Sequence, residues 1–315
     1  MHCPIAIATA AVRSILRARA YTTRSIAADR PRRAVFYGSD ERKLLSSLKT
    51  KPDTFIYDLE DSVSLNRKQA AREMVFKTYD VGHSEKAVRI NSVGSGLEHD
   101  DLKTILRSTN LQAIVIPKVH SAKDIHAISQ IIDSTAPVSV GSNVRILASI
   151  ESALGILNIR EGEEAFQSYF KVAAEDYIAD LEILRTPSRL EMVYARQAVT
   201  TTAHAYQLQS IDLVCVDFQS QNILEEECIE GRQFGFSGKQ AIHPKQIQTI
   251  HKIFSPSEED IARATRIVAG FEANLVNGVG AFNLDGKMID APVVKWAQQL
   301  LLKALTMAKI DQKIA

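Results

Sequence analysis

Between residues 32 and 254, short apolar runs alternate with longer stretches in which apolar positions recur every three or four residues. That is the pattern of strands followed by amphipathic helices. The runs fall at residues 34–37, 54–57, 87–88, 113–116, 144–150, 171–174, 211–216 and 235–239. The fifth, VRILASI, is apolar and β-branched in the manner of a fully buried parallel strand, and it turns abruptly into Glu151, Ser152 and small residues that open a helix. Nearly every run closes on a charged or polar side chain. The second ends in Asp58-Leu59-Glu60-Asp61, the third in Arg89 and Asn91, and the fourth in Pro117-Lys118. Glu151 closes the fifth, Glu175 and Asp176 the sixth, Asp217 the seventh, and Lys239 with the Ile242-His243-Pro244 step the eighth. The alternation predicts an α/β protein, a (β/α)8 TIM barrel whose site lies at the carboxyl ends of its strands. A doubly wound open sheet would alternate equally well, but its ligand sits mainly at one switch point, so it would not need polar residues at so many strand ends.

The pattern changes at both ends of the chain. Past residue 254, Ser255-Pro256-Ser257-Glu258 reads as a capping box with Ser255 as the cap. It precedes a helix with Ile261, Ala264, Val268 and Phe271 on one face, expected to stop near Gly278. The stretch GVGAFNLDGKMID reads as a loop, and a last helix from about Ala291 carries Val294, Ala297, Leu301 and Ala304 on a packing face. Residues 255–315 are therefore expected to form a C-terminal helical extension beside a barrel of residues 30–254. From Met1 to Ala28 there is no Asp or Glu, whereas Arg13, Arg17, Arg19 and Arg24 are interleaved with small and apolar residues. That composition reads as a mitochondrial transit peptide over residues 1–28, and the matrix as the destination.

Composition narrows the function. The 315 residues are 45% hydrophobic, enough for one large core. The formal net charge is +1, with both signs mixed along the chain, which argues against a nucleic-acid partner. No stretch is apolar for long enough to predict a membrane span. Cys3, Cys215 and Cys228 share no metal-ligand spacing and are expected to be reduced thiols.

The acids at adjacent strand ends carry the chemistry. Glu151 and Asp176 supply two oxygen ligands, and Mg²⁺ takes one or two protein carboxylates plus waters and substrate oxygens; the competing reading makes them first-turn acids held by the helix dipole. Asp58, Glu60 and Asp61 are placed to hydrogen-bond a metal's waters, or simply start a helix. Arg89 can clamp a carboxylate or stabilise an enolate oxygen, or form a salt bridge to the Asp58 group, and the two roles are compatible. Lys118 is read as a charge partner rather than a Schiff-base lysine. Lys239 and His243 are candidates for a phosphate or adenine contact, and His243 equally for a helix start. Asp290, ahead of Ala291-Pro292, has the form of an N-cap.

Taken in order, RRAVFYGSDERK, YDLEDSV, VRINSV, IPKV, IESALGILN, AAEDYIADL, GFSGKQAIHPKQI, FSPS and DGKMIDAP resemble the citrate lyase β-subunit-like family of the HpcH/HpaI aldolase superfamily. The resemblance runs from about Arg32 to Ala304, and INSVGSGL, ALGILN and GAFNLDGKMIDAP look like the versions of its mitochondrial branch that acts on citramalyl-CoA. It implies Mg²⁺ held by Glu151 and Asp176, and substrate contacts from Arg89, Glu151 and Lys118. It implies as well that Asp290 enters a neighbouring subunit's site as the acid/base group, so that the protein works as a homotrimer or hexamer. The implied reaction is a retro-Claisen-type cleavage between an acyl-CoA and a 2-oxo acid, pyruvate or glyoxylate, with Arg89 stabilising the enolate and Asp290 exchanging its carbon proton. Two features depart from the family pattern. Tyr37 runs straight into Gly38 where a Pro-Gly dipeptide is usual, and the apolar run before Glu175 is short.

Overall fold

The structure, a computed structural model, describes residues 30–39, 41–77, 83–141, 143–160, 169–275, 278 and 280–314. The expected transit segment and Cys3 lie outside the described residues. The chain divides into two compact units: residues 32–254, and residues 255–315 together with Arg30 and Pro31.

The larger unit alternates strand and helix throughout. It begins with β1 (Ala34–Gly38), α1 (Glu41–Thr50), β2 (Thr54–Asp58), α2 (Lys68–Lys77) and β3 (Glu85–Arg89). It continues through α3 (Glu98–Ile105), β4 (Ala113–Ile116), α4 (Ala122–Thr135), β5 (Arg145–Ile150), α5 (Ala153–Asn158) and β6 (Tyr169–Val172). The last part is α6 (Ala174–Asp180), α7 (Val193–Ala205), β7 (Gln209–Asp212), α8 (Gln221–Phe234), β8 (Gly238–Ala241) and α9 (Ile247–Phe254). Each strand pairs in parallel with the next, and β8 pairs back on β1 with Ala34 opposite Lys239 and Phe36 opposite Ala241, so the curled sheet closes as a ring.

The runs look continuously apolar because the strands are buried on both faces. One alternate set, Val35, Tyr37, Ile56, Ala87, Ala113, Val115, Leu147 and Ile211, packs as a cluster of strand residues alone. The other set, including Phe36, Phe55, Tyr57, Val88 and Ile114, packs with helix residues such as Ile125, Ile128, Val199 and Leu224. Phe36, Phe55 and Tyr57 meet edge to face, with centroids 5.8 and 4.8 Å apart.

Ring closure depends on glycine at one position. A Cβ on Gly238 would lie 2.0 Å from the carbonyl oxygen of Arg32 and 2.4 Å from that of Arg33. The amino ends of the strands are tied by buried ion pairs. Arg32 holds Glu85 with two bonds of 2.6 Å, and Arg33 holds Asp53 at 2.8 Å. Burial alone would push the Asp53 carboxyl up, but hydrogen bonds from His251 and Arg33 hold it well below the usual carboxylate range.

Three strands are shifted along the chain from the apolar runs, and β3 begins two residues ahead of its run, at Glu85. The sixth is Tyr169–Val172 rather than residues 171–174, because α6 already starts at Ala174. The seventh is Gln209–Asp212 rather than residues 211–216: Leu213 and Cys215 are buried but lie past the end of the ladder. The eighth is Gly238–Ala241 rather than residues 235–239, since Gly235 ends α8 in the left-handed conformation.

In the smaller unit, α10 (Glu258–Leu275) and α11 (Ala291–Ile314) pack through Ala264, Ile267 and Val268 against Val294, Ala297 and Leu301. The cap of α10 is Ser257, not Ser255: its Oγ accepts from the backbone N–H of Asp260 at 3.0 Å. The stretch read as a loop is a hairpin of β9 (Phe282–Leu284) and β10 (Lys287–Ile289). Asp285 and Gly286 form its turn with φ of 53° and 77°, the signs a two-residue type I′ turn requires. Cys215 and Cys228 are buried free thiols.

Candidate functional site

The charged residues expected at the strand ends are gathered by β2, β3 and β4. The register sets Asp58 opposite Arg89 on neighbouring strands. Arg89 donates from Nε and Nη2 to the two Asp58 carboxylate oxygens, each at 2.7 Å, and its Nη1 lies 2.8 Å from a Glu60 oxygen as an ion pair. This fork on a planar carboxylate fixes the guanidinium in direction as well as position. Ser62 and the backbone N–H of Glu60 also donate to Asp58. Burial opposes ionisation of Asp58, but the Arg89 bonds outweigh it and bring its pKa down to about 2.

Lys118 follows β4 in the left-handed backbone region, at φ 51°, an unusual conformation for lysine. Its ammonium lies 3.1 Å from Glu60, 3.4 Å from Asp61 and 4.0 Å from Asp176. Burial pulls the Lys118 pKa down, but the surrounding carboxylates win and hold it above the usual lysine range. Glu60 thus bridges the arginine and the lysine. Burial, with repulsion from Glu151 and Asp61, exceeds the pull of its two cations and raises its pKa to about 7.

Glu151, at the end of β5, is 2% exposed. Its charge acts on Glu60 and on Tyr37, whose phenol is pushed above its usual range chiefly by burial. Ser152 caps α5 by accepting from Gly155 at 3.1 Å. The two acids after β6 part company: Asp176 faces Lys118, whereas Glu175 pairs with Arg185 at 2.5 Å.

Other candidates go elsewhere. Lys239 does not reach the strand ends where a phosphate could meet it. It is fully buried, 3.0 Å from Glu227 and 3.4 Å from Asp212, beside Arg196, which holds Asp212 at 3.0 Å. Its neighbour Asp212 pairs with it across the β7–β8 ladder, so a buried counter-ion claimed the lysine. His243 caps the short helix Pro244–Gln246, accepting on Nδ1 from the backbone N–H of Lys245 at 3.2 Å. Asp290 caps α11, its Oδ1 accepting from Val293 at 3.4 Å. The sequence reading passed over Tyr37. Its ring lies 5.4 Å from the Arg89 guanidinium, and its position at the end of β1 was the available signal.

Charge gathered at the carboxyl ends of parallel strands, around a buried carboxylate, defines the class: an α/β enzyme. The chain belongs to the HpcH/HpaI aldolase/citrate lyase family, which it matches over residues 32–244. The relatives named citramalyl-CoA lyase and citrate lyase subunit beta are carbon–carbon lyases. The mitochondrial citramalyl-CoA lyase of Homo sapiens is 36% identical over 291 residues, 87% of this chain and 86% of the relative. The citrate lyase subunit beta of Leuconostoc mesenteroides subsp. cremoris is 33% identical over 269 residues, 83% of this chain and 88% of the relative. Among solved structures, CitE from Mycobacterium tuberculosis, in complex with magnesium, acetoacetate and coenzyme A, superposes with a TM-score of 0.72. It is 26% identical, over 87% of this chain and 98% of that one.

Proposed function

We propose that the protein is a Mg²⁺-dependent acyl-CoA lyase on a (β/α)8 TIM barrel, cleaving (S)-citramalyl-CoA to acetyl-CoA and pyruvate. The observation that carries the reading is the crowding of like charge at the strand ends. Glu151 raises the cost of ionising Glu60, and Asp176 shares with Glu60 the cation Lys118. A hard divalent cation would relieve that repulsion, so the donor set fits magnesium. Among the described residues no three His, Cys, Asp or Glu side chains form a closed cage. Magnesium is ordinarily held by one or two carboxylates, its remaining positions going to water and substrate. Glu151 and Asp176 are assigned as its ligands, with Glu60 and Asp61 near enough to orient bound water through hydrogen bonds.

Bound there, the ion would supply a Lewis acid for the substrate's carboxylate and hydroxyl oxygens. The remaining work falls to side chains. Arg89, held by Asp58, presents a fixed positive charge where the departing acetyl-CoA enolate oxygen develops, a stabilisation that needs no reorganisation during the reaction. Lys118 screens the acids and binds the oxo-acid end of the substrate. Asp290 is assigned as the acid/base group that protonates the enolate carbon in a neighbouring copy's site, in a homotrimer or hexamer; this rests on the family resemblance. Mitochondrial targeting by residues 1–28 rests on their composition and on the mitochondrial relative.

The test is a panel of acyl-CoA thioesters, including malyl-CoA, assayed with purified protein and Mg²⁺. Release of pyruvate and acetyl-CoA from (S)-citramalyl-CoA is expected. Release of glyoxylate from malyl-CoA in preference would move the substrate by one methyl group, a discrimination worth only about 1–3 kcal/mol. No cleavage of any thioester would overturn the reading.

A further inference from the structure

A buried chain of polar groups runs from α2 to the back of the charged cluster, and the chemistry assigned so far gives it no part. α2 places Lys68 and Arg72 one turn apart, so both side chains leave the same face, and both are buried. Arg72 Nε donates to Asp101 at 2.6 Å. The other carboxylate oxygen of Asp101 accepts from the backbone and side-chain N–H groups of Asn91, each at 2.7 Å. With its amide nitrogen held there, Asn91 turns Oδ1 to the Lys68 ammonium, 2.6 Å away.

Lys68 gives its other two protons to the acidic loop that follows β2. It donates to the carbonyl of Leu59 at 2.7 Å and to that of Glu60 at 2.8 Å. Three donors meet three acceptors, the full capacity of an ammonium. The Glu60 backbone is therefore gripped on both sides: its N–H donates to Asp58 and its carbonyl accepts from Lys68. Leu59 in turn donates its N–H to the carbonyl of Arg89 at 2.9 Å. The loop carrying Glu60 and Asp61 is thus clamped to the end of β3. Burial lowers the Lys68 pKa, against the pull of Asp101, Asp58, Glu60 and Asp61. A buried ammonium is costly, and a methionine would fill the same space without that cost. What the methionine could not supply is three aimed bonds.

We propose that Lys68 is a positioning residue for the metal site: by fixing the Glu60 backbone, it aims the Glu60 carboxylate at water bound to the magnesium. The inference rests on the magnesium-dependent lyase reading above and extends it one layer outward. A carboxylate that orients bound water works only if its own direction is set by the residues behind it. Here the side chain of Glu60 meets Arg89 and Lys118 in front, and Lys68 holds its main chain from behind.

The test is a double-mutant cycle. Magnesium is titrated by calorimetry into wild type, Lys68→Met, Glu60→Gln and the double variant, and exchange of the Leu59 and Glu60 amides is followed on the same proteins. Removing a group one layer out from a metal's ligands lowers affinity about 10-fold or more. Each single variant should lose about that factor, and the double variant should bind no more weakly than Glu60→Gln alone, because Lys68 acts through Glu60. Losses that multiply in the double variant, or unchanged affinity in Lys68→Met, would overturn the proposal. Should Lys68→Met not fold, Lys68→Gln, which keeps a donor, takes its place in the cycle. Amide exchange needs no ligand and should quicken in Lys68→Met. A wild type that binds no magnesium and cleaves no thioester sinks the lyase reading; quickened exchange would then keep the clamp on Glu60, and unchanged exchange would remove it.

Discussion

Replacing Asp58 with asparagine removes one charge and almost no volume, and its cost can be worked from the Arg89 pair. Arg89 grips both Asp58 oxygens at 2.7 Å, and Asp58 is 4% exposed. The carboxyl titrates at about 2 instead of 3.8. At about 1.4 kcal/mol for each pH unit, that difference corresponds to about 2 kcal/mol of stability. Glu60 remains as an ion-pair partner 2.8 Å from Arg89, so the arginine is not orphaned. The loss should therefore stay under the ~3–5 kcal/mol that breaking a buried pair outright costs. At pH 7 the Asp58→Asn variant should unfold about 2 kcal/mol more easily, which for a domain of this size lowers Tm by about 4–8 °C. The sign with pH follows from the direction of the shift. A carboxyl depressed in the folded state contributes fully above its unfolded pKa near 4, and the contribution is lost as pH falls toward 2. Urea denaturation followed by circular dichroism across pH 2–7 should show wild type descending to meet the variant at the acid end. Equal stability at pH 7, or a gap that persists unchanged at pH 2, would refute the reasoning.

Three further outcomes are expected. Gly238→Ala forces a methyl group into the carbonyls of Arg32 and Arg33, so β1 and β8 must separate. It should lose more than about 3 kcal/mol in denaturant unfolding, with hydrogen exchange rising first in those two strands. Lys239→Met leaves Glu227 and Asp212 short of a buried cation and should cost about 3–5 kcal/mol. Because Lys239 faces the helices, KM measured below the unfolding range should not change. Lys118→Met removes the cation shared by Glu60, Asp61 and Asp176 and should raise KM for the acyl-CoA substrate about 10-fold or more while leaving a folded protein by circular dichroism.

Much of the fold was legible because buried parallel strands announce themselves as apolar runs, and β4 falls on residues 113–116 as the run suggests. Boundaries slipped where hydrophobicity and pairing diverge. Leu213 and Cys215 are as apolar as any strand residue, yet their chain leaves the ladder to build the loop that holds Phe218. The hairpin at residues 282–289 was hidden by its short, exposed strands, although its Asp285-Gly286 pair is the strongest turn signal in the tail. The site's charges could be named from strand ends, but not their partners. That Lys239 would turn outward to Asp212, or that Glu60 would bridge Arg89 and Lys118, depends on register and side-chain reach, which one-dimensional spacing does not carry.

The central claim is that Glu151 and Asp176 hold the magnesium on which cleavage depends. Magnesium titrated into wild type and Glu151→Gln by calorimetry, alongside single-turnover cleavage of (S)-citramalyl-CoA, tests it directly. Wild type should bind the ion and cleave, and the variant should lose detectable binding and about 100-fold or more in rate. Equal binding and equal turnover by the two proteins would contradict the account.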